Sequence, residues 1–310
     1  MLRHLTKISD LTKEECENII NISIKIKANP GGFSDFLKGE TLLMLFEKPS
    51  LRTRISFETG MHQLGGHAIF YSIKDSPLGK KENISDTAKV ASRFVNIIAA
   101  RVFKRQNIWD LAKYADVPVI NMLDDFAHPC QILGDFQTIQ EKKGRLKNFK
   151  LAYFGDAHNN VTYDLMRMCA IFGLKLDIAC PNSPKFLPEQ IVLDEVSDLS
   201  KETKAEVTVV HNALEAAQDS DVIYTDSWMS YGIPQEQEEE RIKAFMPFQV
   251  TSTIMNAAKS DAVFMNCLPA MRGYEQTAEV IDGQQSIVFD QAENRLHGQK
   301  AIMLFLRNKL

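Results

Sequence analysis

Short apolar runs alternate with helical periods through most of this chain, and they do so in two successive blocks. Thr41 to Phe46 reads as a buried strand. Leu51, Ile55, Phe57, Met61 and Leu64 then recur at helical spacing until Gly65-Gly66 stop the helix. Ala68–Ser72, Ile97–Val102 and Val117–Asn121 read as further strands, with helical patterns over Asp86–Phe94, over Ile108–Tyr114 and from His128-Pro129 to about Lys142. A charged stretch with a glycine, Lys142 to Asn148, interrupts the pattern. The second block then places strands at Lys150–Phe154, Leu174–Cys180, Ala205–Val210, Val222–Thr225 and Ala262–Asn266, with helices at Val161–Phe172, near 189–203 and over 235–245. Parallel strands need a crossover, usually a helix, so this rhythm predicts parallel sheets with helices on both faces. The expected fold is α/β, with two domains, each a mainly parallel sheet, and the active site in the cleft between them. An N-terminal helix from Thr12 to about Ala28, opened by a Thr12/Glu15 capping box, precedes the first block, and a mostly apolar helix, Ala292–Leu306, follows the second.

Composition narrows the function. A chain of 310 residues can bury two ordinary cores. The net charge of −4 and the lack of a basic stripe argue against nucleic acid. No apolar run reaches the roughly 18–20 residues that a membrane span requires. The five cysteines are scattered, with no C-x-x-C, and the first residues carry no signal-peptide core. These point to a reduced, cytoplasmic protein without a zinc site.

In parallel sheets, ligands sit beyond the carboxyl ends of the strands. The residues expected there carry chemistry. Ser50, Leu51, Arg52, Thr53 and Arg54 fall in a strand-to-helix turn and the first helical turn, where free N–H groups and the positive end of the helix dipole favour an anion such as phosphate. Basic residues there are unfavourable for the helix alone; otherwise they are two solvated arginines. Arg101 ends a buried strand. His128 stands before Pro129 at a helix start, with Gln131 one turn on, able to polarise a carbonyl and hold an amide, or simply to cap. Gly155 to Asn160 follows a strand as a dinucleotide loop would but lacks G-x-G-x-x-G, so its asparagines suit either a small ligand or a helix cap. Asp226 to Gly232 sets a carboxylate beside hydroxyls, suited to an ammonium group. Cys267-Leu268-Pro269 brings a thiol and backbone carbonyls to the end of another strand, unless the cysteine is a small core residue. The glutamate-rich stretch 235–240 reads as a solvated helical face.

Together these segments resemble the carbamoyltransferase family, in its ornithine branch. Ser50-Leu51-Arg52-Thr53-Arg54 is similar to its S-T-R-T-R motif, and His128-Pro129-Cys130-Gln131 to H-P-x-Q. Asp226-Ser227-Trp228-Met229-Ser230-Tyr231-Gly232 is similar to D-x-x-x-S-M-G, Asn266-Cys267-Leu268-Pro269 to H-C-L-P, and Ala292-Glu293-Asn294-Arg295 to A-E-N-R. The motifs cover nearly the whole chain in family order. The aspartate branch has proline in place of Cys267 and lacks the serine loop.

The resemblance implies a carbamoyl phosphate domain over 1–144, an ornithine domain over 145–290 and a closing helix, 291–310, that packs back on the first. It implies a homotrimer or a multiple of trimers, no metal or organic cofactor, and a Leu268–Pro269 bond that is cis. The activity it implies is transfer of the carbamoyl group of carbamoyl phosphate to the δ-amine of L-ornithine, in arginine biosynthesis. A sister enzyme for putrescine or an acylated ornithine, or a non-catalytic homologue, are the other readings. Its implied catalytic residues are Arg101, His128 and Cys267. Carbamoyl phosphate would be held by Ser50, Leu51 (through its N–H), Arg52, Thr53, Arg54, Arg101, His128, Gln131, Cys267, Leu268 and Arg295, and ornithine by Asn160, Asp226, Ser230 and Tyr231. The proton of the attacking amine goes either to Cys267 with Asp226 or to the leaving phosphate. Four positions depart from the family pattern: Leu51 for threonine, Tyr231 for methionine, Asn266 for histidine, and Pro77 for a polar residue expected to reach a neighbouring subunit, near which Lys80 or Lys81 would close the site.

Overall fold

The computed structural model describes residues 2–73, 82–230 and 233–309. Pro77, Lys80, Lys81 and Tyr231 lie outside the described residues. The chain packs as two compact units, Met1–Gln137 with Glu293–Leu310, and Thr138–Ala292. The charged stretch 142–148 lies just beyond that division, because the helix before it runs unbroken to Lys143.

In the first unit the order is α1 (Lys13–Ala28), β1 (Thr41–Phe46), α2 (Leu51–Gln63), β2 (His67–Ser72), α3 (Ile84–Ala91), β3 (Ile97–Arg101), α4 (Arg105–Tyr114), β4 (Val119–Leu123) and the start of α5 (Pro129–Lys143). The four strands form one parallel sheet in the order β2-β1-β3-β4. Strand β3, buried at every position, runs through its middle. Leu45, Ile98 and Ala100 of the sheet pack on Ala88, Ala91, Ile108 and Leu111 of α3 and α4. Strand β4 begins at Val119 rather than at the expected Val117, because Pro118 has no N–H to place in a ladder. Pro118 still accepts from Ile98 N–H through its carbonyl, at 2.9 Å.

The second unit continues with β5 (Lys150–Phe154), α6 (Asn160–Phe172), β6 (Lys175–Ala179), α7 (Gln190–Thr203), β7 (Glu206–Val210), α8 (Ala213–Ala217) and β8 (Val222–Thr225). It ends with α9 (Glu238–Phe245), α10 (Ser252–Ala257), β9 (Val263–Asn266), α11 (Ala278–Ile281) and the opening turn of α12 (Val288–Leu306). Its five strands are all parallel, in the order β7-β6-β5-β8-β9. Phe154, Ile223 and Phe264 share a core with Ile254, Met255, Val280 and Ile281. The short helices α10 and α11 carry too few residues to show a period in sequence, and they cover this face.

Helix α12 begins at Val288, one turn before the expected Ala292, because Val288 is buried in the second unit's core. Its later turns belong to the first unit, where Lys300 donates to Gln63 at 2.8 Å and Arg307 pairs with Glu40 at 2.7 Å. It crosses α5 at two glycines, where a Cβ on Gly298 would sit 3.7 Å from the Gly134 Cα and one on Gly134 3.5 Å from the Arg295 side chain. That close approach brings Arg295 to the start of α5. Among the described residues no helix is long and apolar enough to cross a membrane, and no three-residue His/Cys/Asp/Glu group that could hold a metal occurs.

Candidate active site

In the first sheet the strand order reverses between β1 and β3, and Phe46 pairs in register with Arg101. The segment after β1 and the side chain of Arg101 therefore emerge side by side at the carboxyl edge, the place a parallel sheet offers a ligand. Ser50 is extended and caps α2, its Oγ accepting from Thr53 N–H at 3.4 Å and donating to Thr53 Oγ1 at 3.0 Å. Arg54 N–H reaches the Ser50 carbonyl. The N–H groups of Leu51 and Arg52 have no acceptor among the described residues, and Arg52 has no acidic partner among them either. This is an anion-ready helix start.

Two neighbours in this motif point elsewhere. The Leu51 side chain is 71% exposed, so only its N–H faces the helix-end site. Arg54 lies 3.7 Å over the Phe70 ring and pairs with Glu58 at 3.2 Å, one turn on along the outer face of α2. Its guanidinium is thus engaged on that outer face, away from the Ser50–Thr53 cap.

Arg101 is buried, and the β3–β4 pairing shifts register between Ala100 and Arg101, an irregularity of the kind that re-aims a side chain beside a site. Asp124 builds the turn before α5, accepting from Phe126 N–H and Ala127 N–H at 2.7 Å each and from the Asn121 amide at 2.9 Å. His128 follows, buried, its carbonyl accepting from Gln131 N–H at 3.0 Å. Gln131 donates to Asp135 at 2.8 Å, and its carbonyl oxygen takes a hydrogen bond from Arg295. Arg295 also donates to Thr53 Oγ1 at 3.3 Å. Three residues far apart in sequence, Thr53, Gln131 and Arg295, therefore meet within one unit.

The charges around them act on one another. Burial, then the cations Arg295, Arg101 and Lys48, push His128 well below its ordinary 6.5. The imidazole is therefore neutral at pH 7, with one N–H to donate. Lys48, buried with its ammonium 4.6 Å over the Phe103 ring, falls to about 8, through burial and then Arg101. Sequence reasoning passed over Lys48, since nothing in its spacing distinguishes it from a surface lysine.

The second sheet reverses between β5 and β8, and Thr225 pairs in register with both Phe154 and Asn266. The loops carrying Asn160, Asp226 and Cys267 so leave one edge together. Gly155 takes φ +126°, and a Cβ there would stand 3.1 Å from the Trp228 indole nitrogen, so only glycine fits. Asn159 is the cap of α6, accepting from Thr162 N–H at 2.9 Å and donating to the Tyr153 hydroxyl at 2.9 Å. The capping role therefore belongs to Asn159, and Asn160 opens the helix.

Asp226 is buried, and the Cys267 thiol donates to it at 2.9 Å. Burial raises its carboxyl above the usual range; the thiol's hydrogen bond pulls it partly back, and nearby Asp156 adds to the rise. Trp228 is held at both backbone groups: its N–H donates to Glu275 at 3.1 Å and its carbonyl accepts from Arg241 at 2.7 Å. Arg241 also forms a buried ion pair with Asp156 and packs against Phe186 and Phe245. Ser230, half-buried, ends this stretch, its carbonyl accepting from Ile233 N–H at 3.2 Å. Glu275 and Arg241, both missed in sequence, lie 47 and 13 residues along the chain from the Trp228 they hold. Past β9, Leu268 adopts φ +56° and the Leu268–Pro269 peptide is cis.

Residues 3–141 match the carbamoyl-P binding domain of the aspartate/ornithine carbamoyltransferases, and residues 147–306 match their Asp/Orn binding domain. The chain is 48% identical to an ornithine carbamoyltransferase of Thermococcus kodakarensis over 97% of its length and 95% of the relative's. It is 47% identical to a catabolic ornithine carbamoyltransferase of Halobacterium salinarum over 99% and 100%. The solved ornithine transcarbamoylase of Giardia lamblia superimposes with a TM-score of 0.91 at 42% identity, covering 99% of both chains. With both halves matched in order and such identity sustained end to end, the chain belongs to the aspartate/ornithine carbamoyltransferase family.

Proposed function

We propose that this chain is an enzyme that transfers the carbamoyl group of carbamoyl phosphate to the δ-amine of L-ornithine, giving L-citrulline and phosphate. The observation that carries the reading is the contact of Arg295 with both Thr53 and Gln131, which joins a helix-end anion site to a group able to hold an amide. Ser50, Arg52, Thr53 and the N–H groups of Leu51 and Arg52 hold the phosphate, with Arg295 beside them. Arg101 and neutral His128 donate to the carbamoyl oxygen. Gln131 and the carbonyls of Cys267 and Leu268 take the carbamoyl NH2. Asn160, Asp226, Ser230 and Tyr231 bind the amino-acid end of ornithine.

The amine attacks the carbamoyl carbon, the carbonyl oxygen gains charge against Arg101 and His128, and the tetrahedral intermediate collapses with loss of phosphate. The nucleophile must first lose a proton. An alkylammonium near pKa ~10.4 is neutral in less than about one part in a thousand at pH 7. Asp226, raised by burial, is a carboxylate able to receive it, with the Cys267 thiol as the intervening group. The leaving phosphate is the other acceptor.

We read the physiological direction as synthesis of citrulline for arginine in the cytoplasm, by a homotrimer or a multiple of trimers. Exposed apolar side chains on the first unit, among them Ile55 and Phe94, offer surface for such contacts. The relative named catabolic supports the reverse direction as a second reading. A ureido assay with carbamoyl phosphate and ornithine, putrescine, aspartate or acetylornithine tests the substrate, and ornithine should be the only amine turned over efficiently. Turnover of another amine at a higher kcat/KM, or of none, overturns the assignment. Comparing citrulline synthesis with citrulline phosphorolysis separates the two directions.

A further inference from the structure

The segment that carries Cys267 is held by three buried amides that no step above uses. Asn266, Gln276 and Gln291 are each fully buried, as is the Tyr224 side chain beside them. Asn266 Oδ1 accepts from Leu268 N–H at 2.8 Å, and its Nδ2 donates to Gln276 Oε1 at 3.1 Å. Gln276 Nε2 donates to the Met271 carbonyl at 3.2 Å. The Asn266 backbone N–H donates to Gln291 Oε1 at 3.0 Å, and Gln291 Nε2 donates to the Tyr224 hydroxyl at 3.2 Å.

The polarity of this chain is forced at both ends. The Met271 carbonyl can only accept, so Gln276 must turn its NH2 toward it and its oxygen toward Asn266. Asn266 must then present NH2 to Gln276 and oxygen to Leu268. A Leu268 N–H can only donate, so the sequence of donors and acceptors closes without conflict. Leu268 has φ +56°, a conformation that a side chain with a Cβ seldom adopts without support. Its N–H is the group Asn266 grips. Releasing it frees the Cys267–Leu268 peptide to turn, which moves the Cys267 carbonyl and draws the thiol from Asp226. The family motif carries histidine at this position, and histidine Nδ1 branches from Cγ as asparagine Oδ1 does.

We infer that Asn266 is a positioning residue, its side-chain oxygen holding the Cys267–Leu268 peptide so that the thiol meets Asp226, with Gln276 fixing the amide's orientation. The consequence for transfer rests on the function proposed above; the placement of the thiol does not.

The test uses the full-length chain carrying Asn266→Leu (same branching, no acceptor), Asn266→His (acceptor kept at the same branch) or Gln276→Met. Two readouts are compared with the wild-type chain. One is the iodoacetamide alkylation rate of Cys267, followed by mass of its peptide; the other four cysteines are buried. The second is kcat and KM for carbamoyl phosphate and for ornithine. Asn266→Leu should speed alkylation by about fivefold or more, as the thiol leaves its carboxylate partner. It should cut kcat by at least about tenfold, as misplaced reacting groups do. Asn266→His should stay within about threefold of wild type in both readouts, because the hydrogen bond to Leu268 is retained. A folded Asn266→Leu with wild-type alkylation and kcat, or an Asn266→His as impaired as Asn266→Leu, overturns the inference. If Asn266→Leu does not fold, Gln276→Met decides: faster alkylation supports the role, and a wild-type rate overturns it. A wild-type chain that transfers nothing to ornithine sinks the functional reading alone, since the alkylation arm still measures the thiol's placement.

Discussion

At the carboxyl edges of the two sheets the groups whose charge is shifted are of opposite sign, and burial moves both toward neutrality. At the carboxyl edge of the first sheet, burial lowers the bases His128 and Lys48; Arg295, Arg101 and Lys48 add to the drop at His128, and Arg101 at Lys48 against the opposing pull of Asp124, Asp125 and Glu47. At that of the second, burial raises the carboxyls of Asp156, Asp226 and Glu275, and Asp226 and Glu275 each also feel a neighbouring carboxylate. Each region thus holds charge that a ligand of opposite sign would relieve, a phosphate in the first and an ammonium in the second. Asp156 is paired internally with Arg241, as Arg167 is with Asp164 and Glu195 in α6 and α7, whereas Asp226 meets the Cys267 thiol.

The sharpest way to break this division is to remove one charge from each side. Arg52→Ala and Arg101→Ala should each lower kcat/KM for carbamoyl phosphate by about 10²–10³, the loss of roughly 3–4 kcal/mol expected for one donor to a developing oxyanion or its phosphate. Far-ultraviolet circular dichroism should not change. Asp226→Asn should lower kcat/KM for ornithine by a similar factor while the dissociation constant of a phosphonate analogue of carbamoyl phosphate stays within about twofold. If either class of variant weakens both ligands equally, the two regions are not separate sites.

The next effect is steric and confined to the first unit. Gly134→Val places a branched side chain where a Cβ already meets Arg295 at 3.5 Å. Overpacking of this kind costs about 1–3 kcal/mol. KM for carbamoyl phosphate should rise about tenfold as Arg295 is displaced from Thr53 and Gln131. An unchanged KM would remove Arg295 from the phosphate side.

Much of this architecture is legible from residue patterns, and what escapes them does so for identifiable reasons. Strands such as Ile97–Arg101 announce themselves because a parallel central strand must be apolar on both faces. The carboxyl-edge loops follow from that topology. Arg54 is harder, yet a signal exists: positions 52 and 54 lie on opposite sides of a helix, and Glu58 stands one turn past Arg54. Asn159 and Asn160 are adjacent and chemically identical, so only the backbone decides which one caps the helix. Lys48, Arg241 and Glu275 were invisible because their shifted charge or gripped partner depends on residues tens of positions away. Asn266 looked like a lost histidine, and only its two side-chain hydrogen bonds reveal that an amide can fill the place.

Proton linkage tests the charge comparison without any change in turnover. A dianion arriving beside Lys48 favours its protonated form, so the value near 8 rises on binding. Binding of the phosphonate analogue should therefore take up a fraction of a proton between about pH 8 and 10, and almost none from this group below about pH 7. His128, held far lower, contributes uptake only in the acid range. Calorimetry in two buffers of different ionisation heat measures the exchange, and Lys48→Met should abolish the alkaline uptake. Ornithine beside Asp226 should show the opposite sign on the acid side, releasing protons as the raised carboxyl is drawn down, and Asp226→Asn should remove that component. The folded state carries the same signature. His128 holds fewer protons folded than unfolded, so stability is fully present above about pH 6.5 and falls as pH drops below it. Arg295→Ala, by removing one cation, should leave the start of that loss near pH 6.5 and bring its end to a higher pH, so that less stability is lost in total in chemical denaturation series.

The smallest effect separates two arginines of one motif. Arg54 stacks on Phe70 and pairs with Glu58 across one helical turn, both on an exposed face of α2. An exposed pair of this spacing contributes about 0.3–0.5 kcal/mol, less at high salt. Arg54→Ala should lower stability by roughly that amount plus up to about 1 kcal/mol from the lost ring contact, and change KM for carbamoyl phosphate by less than about threefold. Arg52→Ala, two residues earlier, should do the reverse: a large loss of activity and little loss of stability, because Arg52 sits at a helix start where its charge opposes the dipole. Equal kinetic damage from both substitutions would mean that Arg54 turns inward when phosphate arrives, and the motif would then act as one cationic cluster rather than as one ligand-binding and one structural arginine.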